Sequence, residues 1–339
     1  MSNGLSKARQ QLADRFLAAL QEGRIPWKAC WQQAQPVNAA TGKPYQGVNA
    51  LNLSSWADQL GYSDPRWCTY LQAQDKGWQV RKGSVGCKVE YWAYYDMLQK
   101  KLLSWPEAVR LCRQDPDYRN HLVLRCRTST VFNAAQIDGI PPKIEPHTNI
   151  DAIRRQRDTL LKNMEVGYEE HGDRAYYDVQ ADLVVLPPEA AFDDVYGYLC
   201  TFLHECGHAT GHESRLNRDM SGTFGSEIYA KEELRVEIAS AFAAQEIGLQ
   251  LTDAQLETHM RQHLAYVQSW AESVKDAPNE LFAAIRDAGQ ISDYLILNGE
   301  FLPRPEPEEV IQIRQVLQQP LEPVPTPQAP QPPVPEPEL

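Results

Sequence analysis

The sequence predicts an α+β protein in two parts, an α+β front module and a mostly helical back module with a small sheet. Three observations predict it. Charge is divided: residues 1–145 carry 19 Lys and Arg against 12 Asp and Glu, and residues 146–339 carry 14 against 33. Strand-like alternation concentrates in the front half, whereas helical periodicity dominates from about residue 193. Pro141 and Pro142 close the front half and place a boundary near residue 145.

With 339 residues, 42% hydrophobic and 23% charged, the chain has room for two cores and the composition of a globular protein. No apolar run approaches the ~20 residues that cross a bilayer. The opening residues MSNGLSKARQQLADRF lack the apolar centre of a signal peptide, so a soluble, cytoplasmic protein without a membrane partner is expected. The seven cysteines are odd in number and scattered, with no CxxC pair. They argue against a disulfide framework or a cysteine zinc ribbon and fit reduced thiols packed in cores.

Taken in order, residues 5–21 form an amphipathic helix with Leu5, Leu12, Phe16 and Leu20 on one face, ended by Gly23 and Pro26. The stretch 25–53 is crowded with turn residues and aromatics and reads as irregular. A short helix over Tyr70–Asp75 has Thr69 as its cap. Residues 77–95, GWQVRKGSVGCKVEYWAYY, read as a β-hairpin, with Lys88, Glu90 and Trp92 opposite Val89 and Tyr91. In 121–133, Leu122, Leu124, Cys126, Thr128, Thr130 and Phe132 share one strand face, and 97–120 read as a charged helical insertion.

The back module, 146–302, begins with an imperfect helix over 151–170. One or two strands follow in 175–186, Leu183–Leu186 being the better, stopped by Pro187 and Pro188. Helices are expected from an Asp193 cap to Gly211, over 227–247, and again within 252–288. From residue 303 proline dominates, and 303–339 read as a disordered, polyproline-like tail.

The chemistry sits at Tyr198-Leu-Cys-Thr-Phe-Leu-His204-Glu205-Cys-Gly-His208, an HExxH motif on a helix. Histidines four residues apart lie about 40° apart around a helix axis, so both rings reach one ion. Glu205 stands about 100° from His204, placed to act as general base without ligating the metal. Ser214 occupies the position where a third histidine of the HExxHxxGxxH pattern would stand. His212 shares the ligand face, but Gly211 ends the helix, which puts His212 behind the ligands or against substrate.

The better third ligand lies in KEELRVEIASAF, where Glu233 and Glu237 follow His208 by 25 and 29 residues on one face of a return helix. This is the gluzincin arrangement, in which one acid ligates zinc and a second orients a histidine. Glu233 is the preferred ligand and Glu237 the residue behind it, with the reverse order as the alternative. Glu232 is expected to face solvent. The ion is expected to be zinc, although a two-histidine, one-glutamate set also accepts manganese or cobalt.

Six of the eight tryptophans fall in the first 95 residues, at 27, 31, 56, 67, 78 and 92, interleaved with Arg24, Lys28, Lys43, Arg66, Lys76, Arg81, Lys82 and Lys88. Trp56 reads as core. Trp27, Trp31, Trp67, Trp78 and Trp92, with Lys76, Arg81, Lys82 and Lys88, read as a stacking and phosphate-tracking surface for single-stranded DNA.

These motifs resemble the ArdC-type antirestriction proteins of conjugative plasmids and the N-terminal region of TraC-type plasmid primases, over about residues 5–300. The resemblance rests in front on IPWKACW (25–31), GKPYQGVNALNL (42–53), WCTYLQAQDKGWQVRKG (67–83), VEYW (89–92) and VFNAAQIDGIP (131–141). Behind, it rests on AYYDVQADLVVLPP (175–188), HECGHATGHESRLNR (204–218) and YAKEELRVEIASAF (229–242). It implies a front domain that binds single-stranded DNA, a zincin-like metallopeptidase-type back domain, and protection of incoming plasmid DNA from host restriction enzymes. The insertion at 96–121 and the proline-rich tail depart from the family core. Three functions stay open: a DNA-binding zinc hydrolase, a DNA-binding protein with a structural metal, and a replication or primase accessory lacking a polymerase-type acidic triad.

Overall fold

The computed structural model describes residues 7–143, 149–223, 225–263 and 266–301. The expected tail, 303–339, lies outside them, as does Leu5. Helix α1 (Lys7–Gln21) buries Leu12, Phe16 and Leu20. The stretch that reads as irregular holds three elements: α2 (Lys28–Gln32), β1 (Val37–Asn38) and α3 (Gly47–Leu60). Asn49, Asn52, Ser54 and Ser55 favour turns over helix, which hides α3 from propensity. Packing decides instead, with Leu51 and Leu53 both 0% exposed, and Gly61 ends the helix at φ 69°.

Next come β2 (Arg66–Thr69), α4 (Tyr70–Asp75), β3 (Gln79–Val80) and β4 (Cys87–Asp96). Thr69 caps α4 by accepting from the Gln72 N–H, and the Gln72 side chain returns the bond to the Thr69 backbone. The hairpin expected over 77–95 does not form. Strand β3 pairs instead with β7 (Ile137–Asp138), and β4 pairs along its whole length with β6 (Leu122–Asn133). The insertion contains a strand as well as helix: β5 (Lys101–Leu103) adds to β4, followed by α5 (Trp105–Gln114) and a 3-10 turn at Pro116–His121. The larger sheet therefore runs β1-β2-β6-β4-β5, antiparallel except between β1 and β2.

The back half opens with α6 (Ile150–Met164), and the residues expected to prolong that helix form a strand, β8 (Gly167–Glu170). With β9 (Tyr176–Asp178) and β10 (Leu183–Leu186) it makes a sheet of order β8-β10-β9. Among the described residues five helices follow: α7 (Val195–Ala209), α8 (Glu227–Ile247), α9 (Asp253–His263), α10 (Val267–Asp276) and α11 (Pro278–Gly299). The cap of α7 is Asp194, one residue beyond the one expected, and it accepts from the Gly197 N–H at 2.9 Å.

One apolar core gathers α1, α2 and Leu51 of α3 together with α6, β10 and α7 to α11. Trp27 packs 5.3 Å from Trp270 of α10, and Trp31 lies wholly inside. The front half keeps two smaller cores of its own, one around Trp67, Val89 and Val131, the other around Cys68, Val80 and Ile137. Among the described residues no helix is long and apolar enough to cross a membrane.

Helices α7 and α8 meet where Gly207 faces Val236. A Cβ at 207 would stand 2.8 Å from Val236 Cγ1, and Val236 is fully buried. Gly207→Ala is therefore expected to lower unfolding free energy by about 1–3 kcal/mol despite the helix propensity gained. Combined with Val236→Ala, the loss measured in urea should be smaller than the sum of the two single losses; simple additivity would show that the two residues are not in contact.

Candidate metal centre

The ligand triangle is built by two helices. On α7, one turn separates His204 from His208, and their Nε2 atoms approach to 3.2 Å. From α8, Glu233 brings one carboxylate oxygen to 3.5 Å from His204 Nε2 and the other to 3.4 Å from His208 Nε2. A tetrahedral ion with ligands at 2.0–2.1 Å separates its donor atoms by about 3.3 Å. These separations fit a divalent ion held by two imidazoles and a carboxylate, and among the described residues these three bring their donor atoms together. Zinc and manganese both suit this donor set.

Behind the triangle stands Glu237, 0% exposed, with Oε2 3.5 Å from His204 Nδ1 and 3.6 Å from His259 Nε2. Its other oxygen accepts from Trp31 Nε1 at 3.2 Å. Glu232, expected to face solvent, is 6% exposed and lies 3.6 Å from His208 Nδ1. Arg218 draws it inward, donating to the Glu232 carboxylate, to Gly207 O at 2.9 Å and to Thr210 Oγ1 at 2.6 Å. That one guanidinium closes the end of α7 and holds Glu232 beside His208.

His212 is not behind the ligands. Helix α7 ends at Ala209, and the His212 ring turns to Ser214, with Nδ1 2.8 Å from Oγ. Arg218 and His259 carry no signal in the sequence, and Trp31, expected on a DNA-stacking surface, stands behind the metal centre instead. The HExxH and ExxxE spacings carry no mark of what stands behind the ligands, and all three residues lie outside α7 and α8.

Glu205 lines the same cavity as His204, His208 and Glu233, a volume of 280 Å³ walled also by Tyr176, Tyr177, Tyr229 and Tyr266. Burial raises the Glu205 pKa above the usual carboxylate range; the two histidines and a Tyr177 backbone N–H pull against it, and Glu233 adds to it. Burial disfavours charge on the His204 ring, but Glu233 and Glu237 outweigh it and hold its pKa well above the ordinary value. His208 is raised in the same way to about 9, with Glu233 and Glu232 overcoming burial. Glu232 goes the other way: burial pushes up, but His208 and Arg218 bring it to about 2.

The expected DNA surface is divided by burial. Trp27, Trp31 and Trp67 are each 0% exposed, so none offers a ring face to a base. Their apolar area fills cores, which is the cheaper place for it. Lys76, Arg81, Lys82 and Lys88 are exposed, Trp92 is 45% exposed and Trp78 is half-buried. Arg81 also binds Asp138, and Lys88 donates to Thr130. The outer part of the β4–β6 ribbon adds residues the sequence reading passed over. Tyr91 pairs with Arg127 and Ala93 with Arg125, placing both arginines on one face with Tyr91 and Tyr95. Arg125 lies over the Tyr95 ring at 3.9 Å. Their spacing of two in a strand was the available signal.

The fold and this centre define a zincin-like metallopeptidase-type protein preceded by an α+β module. A family profile for zincin-like metallopeptidases matches residues 155–287, and one for the N-terminal domain of anti-restriction factor ArdC matches 6–132. The chain belongs to the ArdC-type antirestriction family. It is similar to crystal structures of the antirestriction protein ArdC from plasmid R388. The metal-free form aligns at 30% identity and TM-score 0.66, over 88% of this chain and 100% of that one. The Mn(II)-bound form aligns at 30% identity and TM-score 0.65, over 87% and 98%. The Sinorhizobium fredii protein y4eC is 34% identical over 84% of this chain and 90% of its own. Two Escherichia coli proteins called DNA primase TraC are 38% and 39% identical over 85% and 84% of this chain, which spans only 27% and 19% of their length.

A histidine whose pKa is raised on folding contributes stability below its unfolded value, near 6.5, and loses it as pH climbs through the folded value. Metal-free protein should therefore lose melting temperature as pH rises from about 7 through about 9. Ion affinity should climb over that window, since only deprotonated rings bind. Calorimetry in buffers of different ionisation enthalpy reads the released protons; pH-independent binding would contradict the assignment. His204→Ala, His208→Ala or Glu233→Ala should remove the ion, and Glu237→Ala should only weaken it. Full occupancy in Glu233→Ala by elemental analysis would reverse the two glutamates.

Proposed function

We propose that this protein is an antirestriction factor that binds single-stranded DNA with its front module and carries a divalent-ion peptidase centre in its back module, protecting plasmid DNA entering a host. Zinc is the ion proposed; the Mn(II)-bound ArdC structure supports manganese as a substitute in such a centre. The observation that carries the reading is the meeting of Glu205 with the ligand triangle in one cavity open to a peptide. A purely structural site has no use for a base there.

An ion held by His204, His208 and Glu233 supplies Lewis-acid polarisation of the scissile carbonyl. Glu205 takes a proton from the attacking water as its oxygen bonds to the carbonyl carbon. The same carboxyl then gives that proton to the departing amine as the C–N bond breaks. Burial raises the Glu205 pKa, which suits a group that must both accept and return a proton. Strand β9, at the edge of its sheet, brings Tyr176 and Tyr177 to the cavity wall beside an extended substrate.

For DNA, support comes from the exposed cations Lys76, Arg81, Lys82 and Lys88, from Trp92, and from the ribbon face of Tyr91, Tyr95, Arg125 and Arg127. Flat rings alternating with cations suit an unpaired strand. That face stands on residues separate from the metal ligands, which favours a second reading in which DNA is shielded by occupancy and host restriction-modification proteins are never cleaved.

In the full chain, Arg125→Ala with Arg127→Ala should weaken oligothymidine binding and reduce the log–log salt slope by about 1.4. Equal affinity for duplex would count against the assignment. Glu205→Gln should retain metal and DNA binding. In conjugation into restricting and non-restricting recipients, hydrolysis predicts that this variant loses protection. Parental protection with unchanged metal content leaves occupancy as the mechanism.

A further inference from the structure

Three tryptophans of the front half are completely buried, but they treat their indole N–H groups differently. Those of Trp27 and Trp67 make no hydrogen bond among the described residues. That of Trp31 donates to Glu237 Oε1, across 206 residues of sequence. The second oxygen of the same carboxylate faces His204 Nδ1 at 3.5 Å and His259 Nε2 at 3.6 Å. The His259 ring packs edge-on against Trp31 at 4.5 Å. Trp31, Glu237, His259 and His204 thus form one buried polar cluster whose outermost member comes from the module that does not carry the metal ligands.

Helix α2 is held in place to do this. The Leu251 N–H donates to Trp31 O at 2.7 Å, and Gln245 Nε2 donates to Gln33 O at 3.2 Å. Gln32 reaches Asp253 at 2.7 Å. These bonds pin the short helix between the end of α8 and the start of α9, so the indole has one direction in which to point. A carboxylate with two free rotamers would not keep an oxygen on His204 Nδ1. With one oxygen anchored by Trp31, the other is left facing the ring, which keeps Nε2 as the atom turned to the ion.

We propose that Trp31 is a positioning residue of the metal centre, acting through Glu237 on His204, so that the ion site is completed only when α2 is seated against α8 and α9. The inference rests on the ligand set His204, His208 and Glu233. By reciprocity, an ion in the site stabilises the seat of α2, and loosening α2 weakens the ion.

Zinc affinity of the full chain, read by competition with a chromogenic chelator at fixed pH, tests this. Trp31→Phe keeps an aromatic ring and removes the donor, and is expected to bind zinc about 10–100-fold more weakly. Trp27→Phe, equally buried but without that bond, should lower the melting temperature and leave zinc affinity within about twofold of the parent. Glu237→Gln should weaken zinc binding, and adding Trp31→Phe to it should cost little more. Parental zinc affinity in Trp31→Phe, equal losses in Trp27→Phe and Trp31→Phe, or additive losses in the double variant would each overturn the proposal. If Trp31→Phe does not fold, hydrogen exchange on the parent decides: zinc should slow the amides of residues 28–32 together with those of α7 and α8. Slowing confined to α7 and α8 would overturn the coupling. A parent that binds no divalent ion would overturn the ligand set itself, and this inference with it.

Discussion

The approach of α7 to α8 is set where Gly207 faces Val236, because no side chain fits between the helices there. That distance decides whether the Glu233 carboxylate arrives 3.4–3.5 Å from the two imidazoles or out of reach. The glycine sits one residue before His208, so the position that needs the smallest side chain is built into the ligand helix itself. From this contact the rest follows. Sheet β8-β10-β9 covers one side of α7, α11 packs against α8, and α1 and α2 close the far side of the same core.

So tight a helix pair carries an electrostatic difficulty. Glu205, Glu232, Glu233 and Glu237 are all at most 8% exposed and crowd around two histidines. Burying that many acids is costly unless each is matched. The match is distributed over the molecule. Arg218 answers Glu232 and at the same time satisfies carbonyl and hydroxyl groups at the end of α7. Trp31 and His259 face Glu237, and Glu233 lies between the rings. A cation between the rings and Glu233 suits the remaining charge, since the neutral imidazoles it requires leave the acids uncompensated.

What was legible in the sequence followed from local periodicity. His204, Glu205 and His208 share a helix face by arithmetic alone, and Thr69 announces the cap of α4. Information that depends on distant partners was not legible. Strand β3 looks like half of a hairpin because β4 follows it, yet its partner Ile137 is far along the chain. Glu232 looks solvent-facing beside Glu233 because nothing local announces Arg218. Trp27, Trp31 and Trp67 look like a stacking platform because composition counts rings without saying which are covered. Arg125 and Arg127 stay hidden for the opposite reason, as ordinary strand residues whose exposure depends on how far the ribbon extends beyond its core.

The union of α1 and α2 with the late helices has a consequence for biosynthesis. Trp31 leaves the ribosome 206 residues before Glu237. At 5–20 residues per second, that interval lasts roughly 10–40 s. Trp27 waits longer still for Trp270. Throughout that time the IPWKACW segment is a nascent, tryptophan-rich apolar surface that lacks the late helices it is buried against. The sheet of the front half, whose cores around Trp67 and Cys68 need only residues up to Ile140, closes much earlier. Synthesis therefore proceeds through a half-built chain with a finished sheet and an exposed hydrophobic arm, the kind of intermediate that chaperones engage and that aggregates when they are scarce.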